Sequence, residues 1–405
     1  MGLDLALSDD AAELAPELTA LRHKLHRHPE IGLQLSWTQQ ALLAELEGLG
    51  LEITTGESLT SVTAVLRGGQ PGGPCVLLRA DMDALPVTEA SGVEFSSEID
   101  GAMHACGHDL HMAMLVGAAR MLSAHRDALL GDVLFMFQPG EEGWNGAGYM
   151  LGEGILEAAG RRPDAAYAMH VSSGKYPTGV FCARPGTLMA ASDWLEVTVR
   201  GEGAHGSSPH LGRDPVSAAA EIVSSLHALV TRRFNVFDPV VITVGSLHGG
   251  TARNIIPDEA RFLATIRTFS DEARARVREE APALCRQVGA AFGTDVDAVY
   301  HDEYPRTVND AAHAAFTART VTEVFGADGY QPMANPEAGA EDFSRVLQAV
   351  PGCYLMLGAA TRPDYEAAPS NHSPRADFSD AVLPRGALLY SQLAIRALAG
   401  GVAAA

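Results

Sequence analysis

Apolar residues form two kinds of pattern in the first part of the chain. Nearly uninterrupted apolar runs at 61–67 and 75–80 predict strands that are buried on both faces. Leucines spaced for one helix face predict a helix over 11–28, which Pro29 ends. A further helix is predicted at 109–125, and further strands are predicted at 132–138 and 165–171. Apolar strands that alternate with helices predict an α/β sheet with both faces covered.

The pattern changes after about residue 185. Segment 193–200 alternates apolar and polar residues with a period of two, as a half-exposed strand does. The elements predicted next are a helix at 215–233, strands at 240–247 and 260–268, and a helix at 271–292. This β-α-β-β-α order predicts a compact α+β domain inserted at 187–296. The flanking parts, 1–186 and 297–405, would then form one domain together.

Charge and composition narrow the class of partner. The 405 residues carry a net charge of −21, and a polyanion of this kind repels phosphate backbones, so nucleic acid is not an expected partner. No segment approaches the roughly 20 uninterrupted apolar residues that a membrane helix needs. The acidic N-terminus does not resemble a signal peptide, and the five cysteines lack the spacing of a disulfide framework. We therefore expect a cytoplasmic protein without a membrane partner.

The densest group of chemically active residues lies between positions 104 and 111, where the sequence reads HACGHDLH. Cysteine thiolate and imidazole are the preferred ligands of zinc-like metals. Gly107 lets the backbone bend, so that Cys106 and His108 can point at one centre. The alternative is a polar helix start whose histidines are satisfied inside the core. The density of ligating groups favours a metal site.

Two adjacent carboxylates, Glu141 and Glu142, follow the predicted strand at 132–138. One carboxylate can bind a metal while the other accepts a proton from a water that the metal activates. The alternative is a solvated acidic loop, which is less favoured because the pair directly follows a buried strand. The pair therefore predicts a metal ligand and a general base side by side.

Other polar residues also follow predicted strands, at the edge where sites form in open α/β sheets. Asp81 and Asp83 end one apolar strand, and either could hold a metal, orient a ligand or simply favour a turn. His170 ends another strand, and His372 lies in a loop. Taken alone, either histidine fits a structural role as well as a metal-binding role. Both become credible ligands once a metal site is predicted nearby.

Other chemistries fit the sequence less well. The chain has neither the G-x-S-x-G elbow of serine hydrolases nor the H-E-x-x-H helix of zinc proteases. Segment 201–206 begins like a dinucleotide fingerprint but lacks its final glycine. Cys106 as a covalent nucleophile stays an open alternative, although the histidines around it fit metal binding at least as well.

Seven motifs together resemble one family. In chain order they read LRADMDALPVTE (78–89), MHACGHDLHMAMLVGAA (103–119), FQPGEEG (137–143), GEGAHGSSPH (201–210), ARNIIPDEA (252–260), GAEDFS (339–344) and NHSP (371–374). They resemble the hippurate hydrolases and N-acyl-amino-acid amidohydrolases, which are similar to aminoacylases and carboxypeptidase G among the dinuclear metallopeptidases. The resemblance implies a zinc-exopeptidase-like catalytic domain with a mixed sheet, interrupted by an α+β lid or dimerisation domain.

The resemblance also implies the metal centre. It implies two divalent metal ions, and thiolate, imidazole and carboxylate ligands suit zinc, manganese, cobalt or nickel. The implied ligands are Cys106, His108, Glu142, His170 and His372. Glu141 would be the general base, and Asp83 would be the carboxylate that supports the ligands. Asp81 stands where more distant relatives have a metal-binding histidine, so it is left out of the ligand set.

Within the inserted domain, the resemblance implies groups that bind a small N-acyl amino acid. His205 would reach the oxyanion, often from a partner subunit, which implies a homodimer or a higher homo-oligomer. Asn254 and Arg267 would hold the substrate carboxylate. Arg267 lies in an apolar strand pattern, which suits a carboxylate fork, although a surface ion pair is an equal alternative.

Two alternatives to N-acyl amino acid hydrolysis remain open. The same core would serve a metallo-exopeptidase acting on dipeptides, or a non-catalytic metal-binding protein. Two adjacent glutamates argue against the latter, because a storage site needs no spare base. The chain also departs from the family after His170 and at Trp144, where small residues are common. Both departures leave the preferred acyl group open.

Overall fold

The computed structural model describes residues 2–402 and divides the chain into two compact units. Unit 1 comprises the chain up to Leu188, Val308–Asn335 and the chain from Asp342 onward. Unit 2 comprises Met189–Thr307 and Pro336–Glu341. Both chain ends therefore belong to unit 1, and unit 2 is built from a continuous internal segment and one short later segment.

Strands and helices alternate along most of the chain. The strands are β1 (Glu52–Thr55), β2 (Val62–Leu66), β3 (Cys75–Asp81), β4 (Asp132–Gln138), β5 (Ala165–Ser172), β6 (Phe181–Ala183), β7 (Gly186–Met189), β8 (Ala191–Arg200), β9 (Ala204–His205), β10 (Val240–Gly249), β11 (Ile255–Ile256), β12 (Glu259–Thr268), β13 (Asp295–Tyr304), β14 (Thr307–Asn309), β15 (Tyr330–Pro332) and β16 (Gly352–Gly358). The α-helices are α1 (Gly2–Arg27), α2 (Ser36–Leu46), α3 (His108–Ala124), α4 (Gly146–Gly152), α5 (Pro215–Arg233), α6 (Asp271–Ala291), α7 (Ala311–Phe325), α8 (Ser344–Ala349) and α9 (Leu383–Leu398).

Unit 1 is built on a mixed sheet in the order β1-β2-β4-β3-β5-β16-β6-β15. Strand β3 runs parallel to β4 and β5, and β5 runs parallel to β16, whereas β2 is antiparallel to β4. Every residue of β3 and of β16 is buried, as nearly continuous apolar strands require. Helices α1, α3 and α9 pack against one another beside this sheet. The predicted α/β class with a mixed sheet is confirmed.

The parallel strands of unit 1 bring their carboxyl ends to one edge. Asp81, the last residue of β3, pairs with Gln138, the last residue of β4. His170, near the end of β5, pairs with Met356 of β16. The loops that follow these strands therefore begin next to one another, which is where sites form in such sheets.

Unit 2 contains an antiparallel sheet in the order β10-β12-β8-β13, against which α5 and α6 pack. Strand β13 pairs with β8 along most of its length, and Val296 and Ala298 are buried in the core that the two helices cover. The predicted domain boundary at 296 therefore falls inside β13, and the structure moves it to Thr307. Cross-strand pairing with β8 decides the boundary, and a local pattern does not encode that pairing.

Two elements at the N-terminal end differ from the prediction. Helix α1 begins at Gly2 instead of residue 11, and Leu7 on its added turns is buried. Helix α2 was not predicted: its buried residues Ala41, Leu42 and Leu46 lie on one face, but Leu43 and Ala44, off that face, are apolar as well and obscure the helical period. Within residues 2–402, no helix combines the length and the apolar character needed to cross a membrane.

Candidate metal centre

Five side chains from distant parts of unit 1 converge beyond the carboxyl ends of the parallel strands. The Sγ atom of Cys106 lies 3.2 Å from His170 Nε2 and 3.2 Å from His372 Nε2. His372 Nε2 lies 3.2 Å from Glu142 Oε1. His108 offers a ligand atom within 4.8 Å of those of Cys106 and His170. The structure thus brings together all five residues that the resemblance implies as metal ligands.

These side chains form overlapping groups rather than one. Three sets have ligand atoms within 4.8 Å of one another: Cys106 with His108 and His170, Cys106 with Glu142 and His372, and His108 with Glu141 and Glu142. Cys106 and His108 each belong to more than one set. Such sharing suits two neighbouring cations with ligands between them.

The imidazole rings of His108 and His170 are turned so that Nε2 faces the cluster. His108 Nδ1 donates to the backbone oxygen of Asp83 at 2.8 Å, and His170 Nδ1 donates to that of Val171 at 2.7 Å. A carbonyl oxygen only accepts, so Nδ1 carries a proton in both rings and Nε2 is the atom left to face a cation. Burial lowers the pKa of His108, but Asp81, Asp83 and Glu142 outweigh it and raise that pKa to about 10, so a cation at Nε2 would take the place of a proton. His108 Nε2 is buried without a hydrogen-bond partner among residues 2–402. A bound cation would satisfy this atom.

The electrostatics of the cluster favour a cation. Burial lowers the pKa of His170 to about 3, so its ring is neutral and can bind a metal. Burial and the nearby Glu142 and Glu141 carboxylates hold the pKa of the Cys106 thiol well above its usual value. Burial opposes ionisation of Glu142, but His372 and His108 outweigh it and lower the pKa of that carboxyl. A cation would neutralise these acidic groups, so the donor set fits a metal.

Asp83 supports the cluster without being part of it. Its Oδ1 accepts from the backbone N–H of Glu141 at 2.9 Å, and its Oδ2 accepts from that of Glu142 at 3.0 Å. Its backbone oxygen holds His108. One buried residue therefore orients the glutamate loop and one candidate ligand, which suits the supporting carboxylate that the resemblance implies.

Gly107 makes the sharp turn between Cys106 and His108. Its φ of +83° lies in the left-handed region, and a Cβ there would lie 2.4 Å from Cγ2 of Val171. Only glycine meets both conditions without strain. His372 also has a positive φ, of 69°. The backbone is thus bent at two of the segments that supply candidate ligands.

Three buried residues have contacts that sequence reasoning missed. His111 Nδ1 donates to Asp81 Oδ1 at 2.5 Å, while its Nε2 accepts from the N–H of Val171 at 2.8 Å, so both ring nitrogens are engaged. Arg79 donates to the other oxygen of Asp81 at 2.6 Å. Both oxygens of Asp81 are therefore occupied. The sequence signals for this network were the motif RADMD and the histidine-rich segment 104–111, but neither indicated that they meet.

The predicted substrate groups lie in unit 2. His205 is exposed, and its Nδ1 accepts from the backbone N–H of Ser207 at 3.1 Å. It pairs with Ile255 across β9 and β11, next to Asn254 in the chain. Arg267, in β12, is partly buried and donates to the hydroxyl of Ser192. The structure places His205 beside the Asn254 segment, and the roles of all three residues stay predictions.

Comparison with known proteins agrees with this geometry. The model of peptidase family M20/M25/M40 matches residues 77–396, a span that includes every candidate ligand. The chain belongs to this family. The M20/M25/M40 chain is therefore a metal-dependent hydrolase that acts on amide bonds, and the expected resemblance is confirmed.

This M20/M25/M40 hydrolase is similar to proteins that are named for different activities. It is 36% identical to thermostable carboxypeptidase 2 of Saccharolobus solfataricus, over 98% of this chain and 99% of that protein. It is 32% identical to N-acetylcysteine deacetylase of Bacillus subtilis, over 93% of this chain and 96% of that protein. A solved Bacillus subtilis structure, described as a dinuclear metal-binding peptidase of family M20, is 30% identical with a TM-score of 0.82, covering 96% of this chain and 99% of that chain.

Proposed function

We propose that this hydrolase cleaves the amide bond of N-acyl amino acids with the help of two divalent cations. The cations would be held by Cys106, His108, Glu142, His170 and His372. The observation that carries the proposal is the second carboxylate: Glu141 is buried and lies within 4.8 Å of ligand atoms of His108 and Glu142. The similarity to an N-acetylcysteine deacetylase supports the substrate class.

The donor set fits zinc, manganese, cobalt or nickel, because it combines thiolate, imidazole and carboxylate groups. When bound, such cations supply Lewis acidity and lower the pKa of water toward about 7. The overlapping ligand sets support two cations rather than one.

The proton transfers fall to Glu141. Its backbone N–H is held by Asp83 at 2.9 Å, which keeps the carboxylate beside the proposed ligands. Glu141 would accept a proton from the attacking water and pass it to the departing amino nitrogen. A positioned general base of this kind contributes roughly 10² to 10⁴ in rate.

Unit 2 would supply the groups that bind substrate. We propose that His205 donates to the developing oxyanion, and that Asn254 and Arg267 bind the substrate carboxylate. The guanidinium of Arg267 is partly buried, and burial lowers its pKa while leaving it fully charged at neutral pH. We also propose that the inserted unit acts as a lid. His205 would serve the site of a partner subunit, in a homodimer.

The test is Glu141→Gln, which keeps the shape of the side chain and removes the base. The variant should bind the metal as the wild type does, by titration with Zn²⁺ or Mn²⁺, and lose about 10² to 10⁴ in turnover of N-acetyl and N-benzoyl amino acids. Glu153→Gln is the matched control, because Glu153 binds Ser58 of the same unit and touches no candidate ligand. Turnover by Glu141→Gln close to the wild-type rate would contradict the role of Glu141.

A second candidate substrate is a peptide with a free amino group, which the similarity to a carboxypeptidase favours. The two substrate classes share the same metal chemistry and differ only in the acyl side of the bond. A matched panel of N-acetyl amino acids and dipeptides with the same C-terminal residue separates them. If the dipeptides are turned over faster, the proposed substrate class is peptides and not N-acyl amino acids.

A further inference from the structure

We propose that Asn371 is a positioning residue that fixes the relative placement of three candidate metal ligands, Cys106, His170 and His372. The proposal rests on the ligand set proposed above. Asn371 is not itself one of the proposed ligands: its side chain holds the backbone that carries them, and its Nδ2 also lies 3.9 Å from Cys106 Sγ.

The side-chain amide of Asn371 makes hydrogen bonds to two segments, one at Cys106 and one from Val171 to Ser173. Its Nδ2 donates to the backbone oxygens of Val171 at 3.0 Å and Cys106 at 3.3 Å. Its Oδ1 accepts from the backbone N–H of Ser173 at 3.0 Å and from the Ser173 hydroxyl at 3.1 Å. Because the Ser173 N–H only donates, the oxygen of the amide must face it, and this determines the orientation of the whole group.

The backbone of Val171 contacts Asn371, His170 and His111. Its oxygen accepts from Asn371 Nδ2 and from His170 Nδ1, at 3.0 and 2.7 Å, which uses both lone pairs. Its N–H donates to His111 Nε2 at 2.8 Å. The ring of His170 is therefore turned by the same carbonyl that holds Asn371, and this turn directs its Nε2 toward Cys106 Sγ.

His372 depends on the same anchor. Its backbone φ of 69° is rare for a residue other than glycine. A residue keeps such a conformation only where the surrounding structure holds it. Its N–H donates to the oxygen of Ala105 at 2.9 Å, while the preceding Asn371 binds the oxygen of Cys106. Two adjacent contacts thus tie segment 371–372 to segment 105–106, and hold His372 at 3.2 Å from Cys106 Sγ.

The decisive variant is Asn371→Asp. It keeps the shape and an acceptor for Ser173, but it removes the donor to Val171 and Cys106. A new negative charge beside a cation site would by itself tighten metal binding, whereas loss of positioning would weaken it. We expect the Zn²⁺ dissociation constant of the full chain, measured against a competing chelator, to rise by about 10- to 100-fold, as for other groups that orient metal ligands.

Asn309→Asp is the matched control. Asn309 also donates to two backbone oxygens, those of Arg184 and Tyr354 at 3.0 and 2.8 Å, in unit 1, and it contacts none of the ligands. It should lower the denaturant midpoint and leave Zn²⁺ affinity unchanged. A merely structural role for Asn371 would make the two variants behave alike.

The outcomes separate this inference from the proposed function. Zn²⁺ binding by Asn371→Asp as tight as the wild type, or tighter, overturns the positioning role alone. A wild-type chain that binds no Zn²⁺, Mn²⁺, Co²⁺ or Ni²⁺ overturns both proposals. If Asn371→Asp does not fold, Asn371→Ser decides, because its short hydroxyl cannot span the same contacts and should weaken Zn²⁺ binding to a similar degree.

Discussion

Replacement of Gly107 by alanine should destabilise unit 1 through two separable effects. The φ of this residue is +83°, and the left-handed region costs an L-residue about 1–2 kcal/mol. The new Cβ would also lie 2.4 Å from Val171 Cγ2 and 3.2 Å from Phe378 Cε1, and both neighbours are buried. Overpacking of this kind costs about 1–3 kcal/mol. The sum is about 2–5 kcal/mol, a large part of the stability of an ordinary domain.

Gly92 provides a control with the same backbone conformation. Its φ is also +83°, but a Cβ there would meet nothing within 4 Å. Gly92→Ala should therefore show the backbone cost alone, about 1–2 kcal/mol. The change in the unfolded chain is the same for both substitutions, so it cancels in their difference. The difference between the variants is the steric cost, expected at about 1–3 kcal/mol.

The assay is urea unfolding followed by tryptophan fluorescence in a Trp194→Phe background. The chain has three tryptophans, and Trp37 and Trp144 lie in unit 1, so the remaining signal reports that unit. Equal free energies of unfolding for Gly107→Ala and Gly92→Ala would refute the close approach of Gly107 to Val171. A destabilised Gly107→Ala that matches the sum would support it.

Two further predictions concern buried ion pairs. Burial lowers the pKa of His26, but Asp109 and Glu89 outweigh it and raise that pKa to about 9. The stability that the protonated ring contributes is complete below the unfolded pKa of about 6.5 and disappears as the pH rises through 9. The difference in unfolding free energy between wild type and His26→Asn, measured in urea, should therefore shrink by on the order of 3 kcal/mol between pH 6 and pH 9. A gap that stays constant with pH would contradict the assignment. In unit 2, Arg274 binds both oxygens of the buried Asp193, at 2.8 and 2.6 Å. Arg274→Met should lower the unfolding free energy of unit 2 by about 3–5 kcal/mol, because it leaves a buried carboxylate without its cation. The fluorescence of Trp194 reports this unfolding, and the Zn²⁺ affinity of unit 1 should not change. Unchanged stability of unit 2 would show that Asp193 does not depend on Arg274.

Local patterns were enough to predict most elements around the site. Strand β4 and helix α5 have the predicted bounds, and β3 and β5 differ from theirs by one residue at the carboxyl end. These bounds are predictable because an apolar run or a helical period depends only on residues that are close together in the sequence. The boundary of unit 2 was missed because β13 alternates weakly, and only its pairing with β8 assigns it to that unit.

The candidate site shows the same division. Cys106, His108, Glu141 and Glu142 stand out because they occur close together in the sequence, next to predicted strands. His170 and His372 became credible only as additions to a metal site already predicted from those residues, because a single histidine carries no local signal. The contact between Cys106 and His372 spans 266 positions, and no periodicity encodes it.

Local sequence was enough for the buried strands β3, β4 and β5, for the glycine turn at Gly107 and for the types of ligand that the chain can offer. Tertiary structure alone decided which of these groups meet. Parallel pairing of β3, β4 and β5 brings their carboxyl ends to one edge, and the peptide of Val171 then orients His170 and Asn371 there. Secondary structure follows from neighbours along the chain, whereas a metal centre depends on strand order and register, which only the folded sheet specifies.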